Sequence, residues 1–496
     1  MAGFTGGRPT VAALTVILAV SCTWVWARST SSGGSPAAQL LTTPTLTLDT
    51  QRPGSVFSRG AVGFSTEAGE LARRRLSGER PSLVRLMRML GPSVLRIGGN
   101  SVDRSWWTSK GEPAPAWATA TITPRDLAIL HGLIRATGWR VLLGVNLGHF
   151  EPARAADEAR VAQQRLGSGL LGVELGNEPD YYAPQYRPAG YNVAAYLRDA
   201  EAYAGALKAQ APDIAILGPA STQTSSLLSQ LGGAGQMFSE LTQHFYASST
   251  CPGKPPVVAP SVSGLFSAAE RQLEERVLAM LAVAAAAAGR PTRIGETNDT
   301  ACMASAAISP VFASALWALD WTLRASSSGV SGVSFHGNLG GVCGANPESP
   351  ICAAGPDAAL RGELSPQPEY SGLLAASRLE GGRFVPTSIT ASTPPANLTS
   401  WATLAHDGTL RVALENLATV GAPQAVLIPM FGYTATEEPL EAPSPTARQD
   451  VLLAGARVTG RGWRSKPKRI RHRRTLRVEI PAASALILTL RPLHRS

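Results

Sequence analysis

The sequence predicts an α/β fold: a (β/α)8 TIM barrel followed by a C-terminal all-β sandwich domain. Between residues 61 and 336, short apolar runs alternate with amphipathic stretches, as parallel strands alternate with their crossover helices. After residue 368, strand-like runs follow one another with only turns between them. The 496 residues are 44% hydrophobic and 16% charged, which is typical of a globular chain long enough for both domains.

The N-terminal part is predicted to direct export. Residues 1–27 form a signal peptide or an N-terminal anchor, because Arg8 precedes an uncharged run at 11–26 that is shorter than the ~20 residues of a spanning helix. Residues 28–40 are a flexible spacer rich in Ser, Gly and Pro. Residues 41–60 are predicted to contain a strand that joins the sandwich. We expect a secreted or cell-surface protein that touches a membrane only through a retained anchor.

The barrel is predicted to span residues 61–368. Its strand candidates lie at 61–65, 93–98, 140–147, 170–175, 214–218, 238–246, 292–294 and 329–336. Its helix candidates lie at 81–90, 124–137, 153–166, 191–210, 268–288 and 310–325. Proline opens several of these helices, where its fixed φ suits a first turn. An open doubly wound sheet is the alternative fold, and it would require a nucleotide-binding fingerprint that the sequence lacks.

The sandwich is predicted to span residues 369–496, with no helix in it. Its strand candidates lie at 401–404, 410–414, 424–429, 456–458, 476–480 and 485–490. Part of the net charge of +10 is concentrated in a basic stretch at 461–477. This stretch is either a contact surface for an acidic polysaccharide or a solvated hairpin tip. Nucleic acid is not an expected partner, because no recognition module accompanies the basic residues.

Four cysteines follow the N-terminal segment: Cys251, Cys302, Cys343 and Cys352. An even number in an oxidising compartment predicts two disulfides. Of the three possible pairings we favour Cys343–Cys352, which closes a short loop, and this leaves Cys251 to pair with Cys302. The spacing of Cys and His does not match a metal site, so none is predicted.

Two glutamates carry the functional prediction. Glu178 lies in Gly-Asn-Glu-Pro at 176–179, and Glu296 lies in Gly-Glu-Thr-Asn at 295–298. Each is predicted where a strand breaks into a loop, after the fourth and the seventh barrel strand. Catalytic groups of such barrels lie at the C-terminal ends of the strands, and two carboxylates facing each other there can cleave a glycosidic bond. This chemistry needs no metal and no organic cofactor.

The residues around these glutamates resemble glycoside hydrolase family 79, the β-glucuronidase and heparanase family, in a bacterial form. The resemblance rests on Gly-Phe-Ser-Thr-Glu at 63–67, Leu-Arg-Ile-Gly-Gly-Asn at 95–100, the stretches 173–179 and 294–297, and Phe-Ala-Ser-Ala-Leu-Trp at 312–317. The β-rich tail also resembles the family. The resemblance implies a retaining double displacement, with Glu178 as acid/base and Glu296 as nucleophile.

The resemblance also implies roles for neighbouring residues. Asn177 would bind the sugar 2-hydroxyl, Tyr246 would bind the nucleophile or the ring oxygen, and Arg96 would hold Glu296 ionised. Arg96 in a barrel-interior ion pair is the alternative. Further predicted substrate ligands are Asn100, Trp106, His149 and His336. For Trp106, packing against the barrel rim is the alternative to stacking on a sugar face.

The expected partner is a carbohydrate: a β-glucuronide, an acidic oligosaccharide or a glycoconjugate. The loop at 298–305 lacks the tyrosine and glycines with which family 79 glucuronidases grip the sugar carboxylate, and Asp299 in it is expected to repel an acidic sugar. A barrel glycosidase of another β-glycoside specificity is therefore an alternative. One rival of a different class is a carbohydrate-binding pseudoenzyme, and the presence of both glutamates argues against it. Another is a surface adhesion protein that uses the basic stretch, which would bind acidic polymers even after loss of Glu178.

Overall fold

The computed structural model describes residues 43–251, 256–302, 307–343, 348–391, 397–471 and 474–493. The predicted signal or anchor and the spacer lie outside the described residues. Within the described ranges, no helix combines the length and the apolar character needed to cross a membrane.

The described strands are β1 (Thr45–Leu48), β2 (Val56–Phe57), β3 (Val62–Glu67), β4 (Val94–Gly98), β5 (Ser105–Trp107), β6 (Ala120–Ile122), β7 (Arg140–Val145), β8 (Leu170–Leu175), β9 (Ile216–Ser221), β10 (Glu240–Ser249), β11 (Thr292–Ala301), β12 (Val333–His336), β13 (Ile351–Ala353), β14 (Leu364–Pro366), β15 (Gly382–Phe384), β16 (Thr387–Thr390), β17 (Leu398–Leu404), β18 (Leu410–Asn416), β19 (Gln424–Pro429), β20 (Tyr433–Glu441), β21 (Leu452–Leu453), β22 (Ala456–Arg457), β23 (Lys468–Ile470), β24 (Thr475–Ile480) and β25 (Ser484–Pro492).

The described α-helices are α1 (Gly69–Ala72), α2 (Pro81–Leu90), α3 (Pro124–Thr137), α4 (Pro152–Leu166), α5 (Val193–Gln210), α6 (Leu227–Gln230), α7 (Val262–Leu265), α8 (Ala268–Ala288), α9 (Phe312–Ser327), α10 (Pro356–Arg361) and α11 (Pro368–Ser377).

Eight strands form a closed barrel in the order β10-β11-β12-β3-β4-β7-β8-β9. The ring closes where β12 pairs in parallel with β3, with Val333 beside Val62. Helices lie between successive strands and bury apolar stripes. On α2, for example, Leu83, Met87 and Leu90 are buried, which is the spacing of one helix face. The predicted TIM barrel is therefore confirmed, although several strand ends differ by a few residues from the predicted ones.

The largest difference lies at the seventh barrel strand, β11. We expected it to end at residue 294, with Glu296 in a loop, and this expectation is wrong. The strand continues to Ala301, because β10 and β11 keep pairing from His244 and Glu296 as far as Ser249 and Ala301. The sequence after Ile294 is polar and lacks the apolar pattern by which a buried strand is predicted. Glu296 is therefore fixed by strand pairing on both sides of it along the chain.

The predictions included no helix after residue 368, and α11 corrects this. It packs against the barrel: Tyr370 donates a hydrogen bond to the Leu86 carbonyl of α2 at 2.6 Å. Helices α11 and α9 pack closely at Gly372, because a Cβ there would lie only 2.0 Å from the Ala315 carbonyl of α9. Nine of the ten residues of α11 are buried. Because it is buried on all sides, the helix has no polar face and shows no amphipathic period.

The sandwich consists of a four-stranded sheet, β16-β1-β19-β24, and a nine-stranded sheet. Strand β1 lies between β16 and β19. The two sheets bury a common apolar layer that includes Leu46, Val426 and Leu488. Strand β20, which sequence patterning missed, pairs with β25 along its length. Ala413 and Ile487 of the nine-stranded sheet belong to the same core cluster as the barrel residues, so barrel and sandwich share one core.

Both predicted disulfides are present. Cys251 is bonded to Cys302, and Cys343 is bonded to Cys352. The first bond joins the chain just beyond β10 to the residue after β11, so it ties together the ends of the two longest barrel strands. The second closes a short loop after β12.

Candidate active site

The turn after β8 is held by a buried carboxylate. Asp103 accepts hydrogen bonds from the backbone N–H of Leu147, Gly148 and Asn177 at 2.9, 2.7 and 3.2 Å, and from the Tyr182 hydroxyl at 2.7 Å. Burial raises the pKa of Asp103 to about 6, against the opposing effect of these donors. Asp103 therefore joins the ends of β7 and β8.

The same turn adopts left-handed backbone at two positions. Gly176 has φ 71° and Glu178 has φ 49°. A Cβ at Gly176 would lie 2.2 Å from the Tyr182 hydroxyl, so glycine is required there. Glu178 is a rare non-glycine residue in this region, and such strain is often found at functional positions. The Glu178 N–H donates to the Ala220 carbonyl at 2.9 Å, which fixes the turn against β9.

Glu296 lies on β11 and is bound on both oxygens. Arg96 Nη1 donates to Oε2 at 2.6 Å, and the Tyr246 hydroxyl donates to Oε1 at 2.6 Å. Burial by itself would raise the pKa of Glu296. The charges of His336, His244 and Arg96, with the Tyr246 hydrogen bond, outweigh burial and hold this pKa well below its usual range. Glu296 is therefore ionised, as a carboxylate nucleophile must be.

Arg96 organises the floor of the site. Its side chain is completely buried, and its Nε donates to Glu174 at 2.6 Å while Nη2 donates to Asn177 Oδ1 at 2.9 Å. Its Nη1 also donates to Ser65 at 3.2 Å. One guanidinium thus links β3, β4, β8 and β11. Its ion pair with Glu174 and its contact with Glu296 exist together, so the two alternatives that the sequence leaves open for Arg96 do not exclude each other.

Glu178 has a different environment. Its Oε1 is 2.9 Å from Nδ1 of His244 on β10, and it is more exposed than Glu296, with 20% of its side chain accessible against 8%. Burial would lower the pKa of His244, but the carboxylates of Glu296 and Glu178 raise it overall despite the opposing charge of Arg96. His244 thus lies between the two glutamates, 4.0 Å from Glu296 Oε1.

The two glutamates are close enough to act on one bond. One side-chain oxygen of Glu178, one of Glu296 and one ring nitrogen of His244 all lie within 4.8 Å of one another. Retaining glycosidases place their carboxyl groups ~5–5.5 Å apart and inverting ones ~6.5–9.5 Å apart. An approach of two carboxylate oxygens within 4.8 Å is nearer to the spacing of the retaining class than to that of the inverting class.

The rim beside Glu296 contains further polar groups. His336 Nδ1 is 3.4 Å from Glu296 and 3.0 Å from the Ser65 hydroxyl, and its Nε2 is 3.8 Å from Glu67. Asn100 accepts a hydrogen bond from the Asn177 amide at 3.3 Å. Five predicted residues therefore surround the two glutamates: Asn177, Tyr246, Arg96, Asn100 and His336.

Two predicted substrate ligands lie apart from this group. The Trp106 side chain is buried under the Arg154 guanidinium, 3.4 Å from the ring centroid, and its Nε1 donates to the Glu112 carbonyl. The His149 ring stacks on Trp117 with centroids 3.7 Å apart. Trp117 and His149 line a separate small pocket that contains neither Glu178 nor Glu296. The geometry of Trp106 is that of packing against the rim.

Asp299 does not face the sugar as we expected. It is fully buried and accepts a hydrogen bond from the Ser309 hydroxyl at 2.7 Å. Burial raises its pKa to about 7. The expected repulsion of an acidic sugar by Asp299 is therefore wrong. Glu67 is a residue of the site that the sequence did not predict, although it ends the family-like stretch at 63–67. Its carboxylate is 32% exposed and lies beside His336.

Glu178, His244 and Glu296 are also the residues in the described part of the chain whose ligand atoms are close enough to hold a metal ion. Both oxygens of Glu296 are already bound by Arg96 and Tyr246. A cation there would have to compete with a buried guanidinium. The donors fit paired-carboxylate chemistry better than metal coordination.

Comparisons with known proteins support the fold. No protein-family model and no curated protein matches the sequence. Solved structures do match. A 4-O-α-L-rhamnosyl-β-D-glucuronidase from Fusarium oxysporum has a TM-score of 0.69 and 19% identity, over 90% of this chain and 100% of that one. The family 51 arabinofuranosidase from Xanthomonas axonopodis pv. citri has a TM-score of 0.64 and 14% identity, over 90% and 100%.

A family 39 enzyme from the same bacterium has a TM-score of 0.58 and 16% identity, over 92% of this chain and 99% of that one. These likenesses extend through both the barrel and the C-terminal β domain. At such identities they establish the fold that this chain shares with barrel glycoside hydrolases. Membership of family 79 stays a prediction.

Proposed function

We propose that this protein is a retaining glycoside hydrolase that cleaves β-glucuronides or related β-glycosides by double displacement. The observation that carries the proposal is a pair of carboxylates in unlike environments, with one oxygen of each within 4.8 Å of the other. Glu296 is buried and bound by Arg96 and Tyr246, whereas Glu178 is more accessible and contacts His244. Two carboxyl groups with different environments are suited to the roles of nucleophile and acid/base.

In the first step Glu296 attacks the anomeric carbon while Glu178 gives its proton to the glycosidic oxygen, so the C–O bond breaks and the aglycone leaves as an alcohol. A glycosyl ester of Glu296 remains. In the second step Glu178 takes a proton from water, and the resulting hydroxide equivalent attacks the same carbon and releases Glu296. Asn177, held by Arg96, is placed to bind the sugar 2-hydroxyl. Configuration is retained.

The structural likeness to the Fusarium glucuronidase and the resemblance at 63–67 and 95–100 support a β-glucuronide. One observation favours a second candidate, a neutral β-glycoside. Glu67 presents a partly exposed carboxylate beside His336, and a carboxylate binds sugar hydroxyls but repels a uronic acid. Both candidates use the same two glutamates.

Hydrolysis of aryl β-glucuronide, β-glucoside, β-xyloside and α-L-arabinofuranoside decides the sugar. We expect the glucuronide to have the highest kcat/KM, and a higher value for a neutral sugar would select the second candidate. Proton NMR of the first product should show the anomeric configuration of the substrate. No turnover of any glycoside would contradict the proposed reaction.

The roles of the glutamates are tested separately. Glu296→Gln should lower kcat by about a thousandfold or more, since the nucleophile is lost. Glu178→Ala should be slow, and azide should restore turnover of substrates with good leaving groups and yield a β-glycosyl azide. Glu201→Gln, at an exposed glutamate on α5, is the matched control and should keep the wild-type rate. A wild-type rate in either active-site variant would contradict the assignment.

A further inference from the structure

The nine-stranded sheet carries a row of polar residues that crosses four strands. In the antiparallel register Arg411 of β18 is opposite Thr489 of β25, Thr489 is opposite Thr436 of β20, and Thr436 is opposite Arg469 of β23. Residues directly opposite one another share a face of the sheet. The row therefore presents two hydroxyls with an arginine at each end.

A second row lies two residues along on the same face. Arg491 of β25 is opposite Thr434 of β20. Arg469, Arg491 and Thr434 are exposed, while Arg411, Thr436 and Thr489 are half-buried. We call these six residues the arginine–threonine face. Three guanidinium groups surround a floor of three hydroxyls.

Several arginines lie close together around Arg411. Burial lowers the pKa of Arg411, and the charges of Arg59, Arg378 and Arg491 add to this effect, whereas the charge of Asp407 opposes it. Glu438 is buried and is bound by Arg378 at 3.1 Å through both of its oxygens. Like charges held together repel one another, so an anion would relieve the repulsion.

The dimensions indicate an extended anion. Neighbouring strands are about 4.8 Å apart, so Arg411 and Arg469, separated by three strand intervals, lie about 14 Å apart. A polymer with anionic groups at intervals can contact the arginines at both ends of the row at once. Neither of the two described rows contains an aromatic ring on which bases could stack, and hydroxyl donors beside arginines suit sugar hydroxyls and acidic groups together.

We propose that the arginine–threonine face binds a chain of acidic polysaccharide, carboxylated or sulfated, outside the catalytic site. The face contains neither Glu178 nor Glu296. Binding therefore does not depend on the proposed hydrolysis and persists when the nucleophile is removed. Such a surface would hold the protein on an acidic polymer while the barrel acts on susceptible bonds.

The test measures binding of the full chain carrying Glu296→Gln, so that no polymer is cleaved. The probes are polygalacturonic acid, heparin, neutral dextran and single-stranded DNA. We expect both acidic polysaccharides to bind, with affinity that falls as salt rises, and dextran not to bind. R411Q/R469Q/R491Q should weaken binding by about tenfold or more.

The matched control is R125Q/R135Q/R165Q, which removes three exposed arginines from barrel helices and changes the net charge equally. It should bind almost as tightly as the parent. Thr434→Glu, a single exposed change, gives a second weakened variant should the triple variant fail to fold in a thermal melt. Equal weakening in the face and control variants, an unaffected Thr434→Glu, absent binding to both polyanions, or tighter binding of DNA would each overturn the proposal.

Discussion

Among single residues, the buried cation Arg96 has the largest influence on the site, because several polar side chains bind to it. Arg96 touches Glu174, Glu296 and Asn177 at once, with no exposure to solvent. A guanidinium suits this position because its planar fork donates in several directions and stays charged. It keeps Glu296 ionised and orients Asn177, so charge and geometry at the two glutamates are set by the same group.

The hydroxyl of Tyr246 makes a separable contribution. Tyr246→Phe removes one donor to Glu296 and should lower kcat/KM about tenfold to a hundredfold, the value of a charge-assisted hydrogen bond. Because that donor lowers the pKa of Glu296, its loss raises the pKa. Activity on the acidic side requires ionised Glu296, so the acidic limb of the pH–rate profile should move to higher pH.

Tyr370→Phe is the control, since it loses a buried hydrogen bond to the Leu86 carbonyl of α2 and not to Glu296. It should leave the pH profile in place. An unchanged acidic limb in Tyr246→Phe would show that the tyrosine does not influence the ionisation of Glu296.

At the scale of elements, the predictable parts were those with a strong periodic pattern. Helix α3, with its capping box from Thr123 to Asp126 and Gly138 after it, was located to the residue. Helix α11 was missed because burial on every side removed its period. The distal half of β11 was missed because it pairs through polar residues whose β-structure depends on β10 as a neighbour. In both α11 and the distal half of β11, packing against neighbouring elements determines the secondary structure.

The same contrast applies to the site. Glu178 and Glu296 were recognisable from local motifs at strand ends. Other features of the site depend on which strands become neighbours in the closed barrel, and a local sequence pattern does not predict these neighbours. They are the ion pair of Arg96 with Glu174, the position of Glu67 and the burial of Asp299. Trp106 was misleading because an aromatic residue on a barrel loop suits stacking on a sugar and packing under an arginine equally well.

The two disulfides should differ in their effect on stability. Cys251–Cys302 spans a sequence separation of 51 and Cys343–Cys352 one of 9. The chain-entropy model gives about 4 kcal/mol for the longer loop and about 2.5 kcal/mol for the shorter. C251A/C302A should therefore lose more free energy of unfolding than C343A/C352A in urea titrations. The reverse order would mean that the short loop contributes more through folded-state contacts than through loop entropy.

At the scale of the whole molecule, buried acids set the pH dependence of stability. Burial raises the pKa of Glu158 to about 8, with help from Asp157, and that of Glu380 to about 7 against its hydrogen-bond donors. Burial also raises the pKa of Asp299 to about 7. Such groups bind protons more tightly when the chain is folded. Their stabilising effect is full below about pH 4 and is lost as the pH rises through 7 to 8.

We therefore expect a higher free energy of unfolding at pH 5.5 than at pH 8.5. Glu158→Gln should reduce this difference by at least about 1 kcal/mol, because glutamine does not titrate and so removes the pH-dependent contribution of the Glu158 carboxyl to stability. Glu201→Gln, at an exposed position on α5, should leave the difference unchanged. Chemical denaturation at the two pH values measures this. If the free energy of unfolding changed between the two pH values by the same amount in Glu158→Gln and in the wild type, the proposed role of this carboxyl would be wrong.

Strand β1 has a consequence for how the chain is made and divided. It is synthesised before the barrel, yet its neighbours β16 and β19 are synthesised after it. The four-stranded sheet can therefore form only after the whole barrel has been synthesised. A sandwich expressed from residue 369 onward would lack its inner strand and leave two open edges, an arrangement that invites aggregation. Separating the domains by a single cut would damage both products, whereas a linker joining β1 directly to β16 would preserve the sheet.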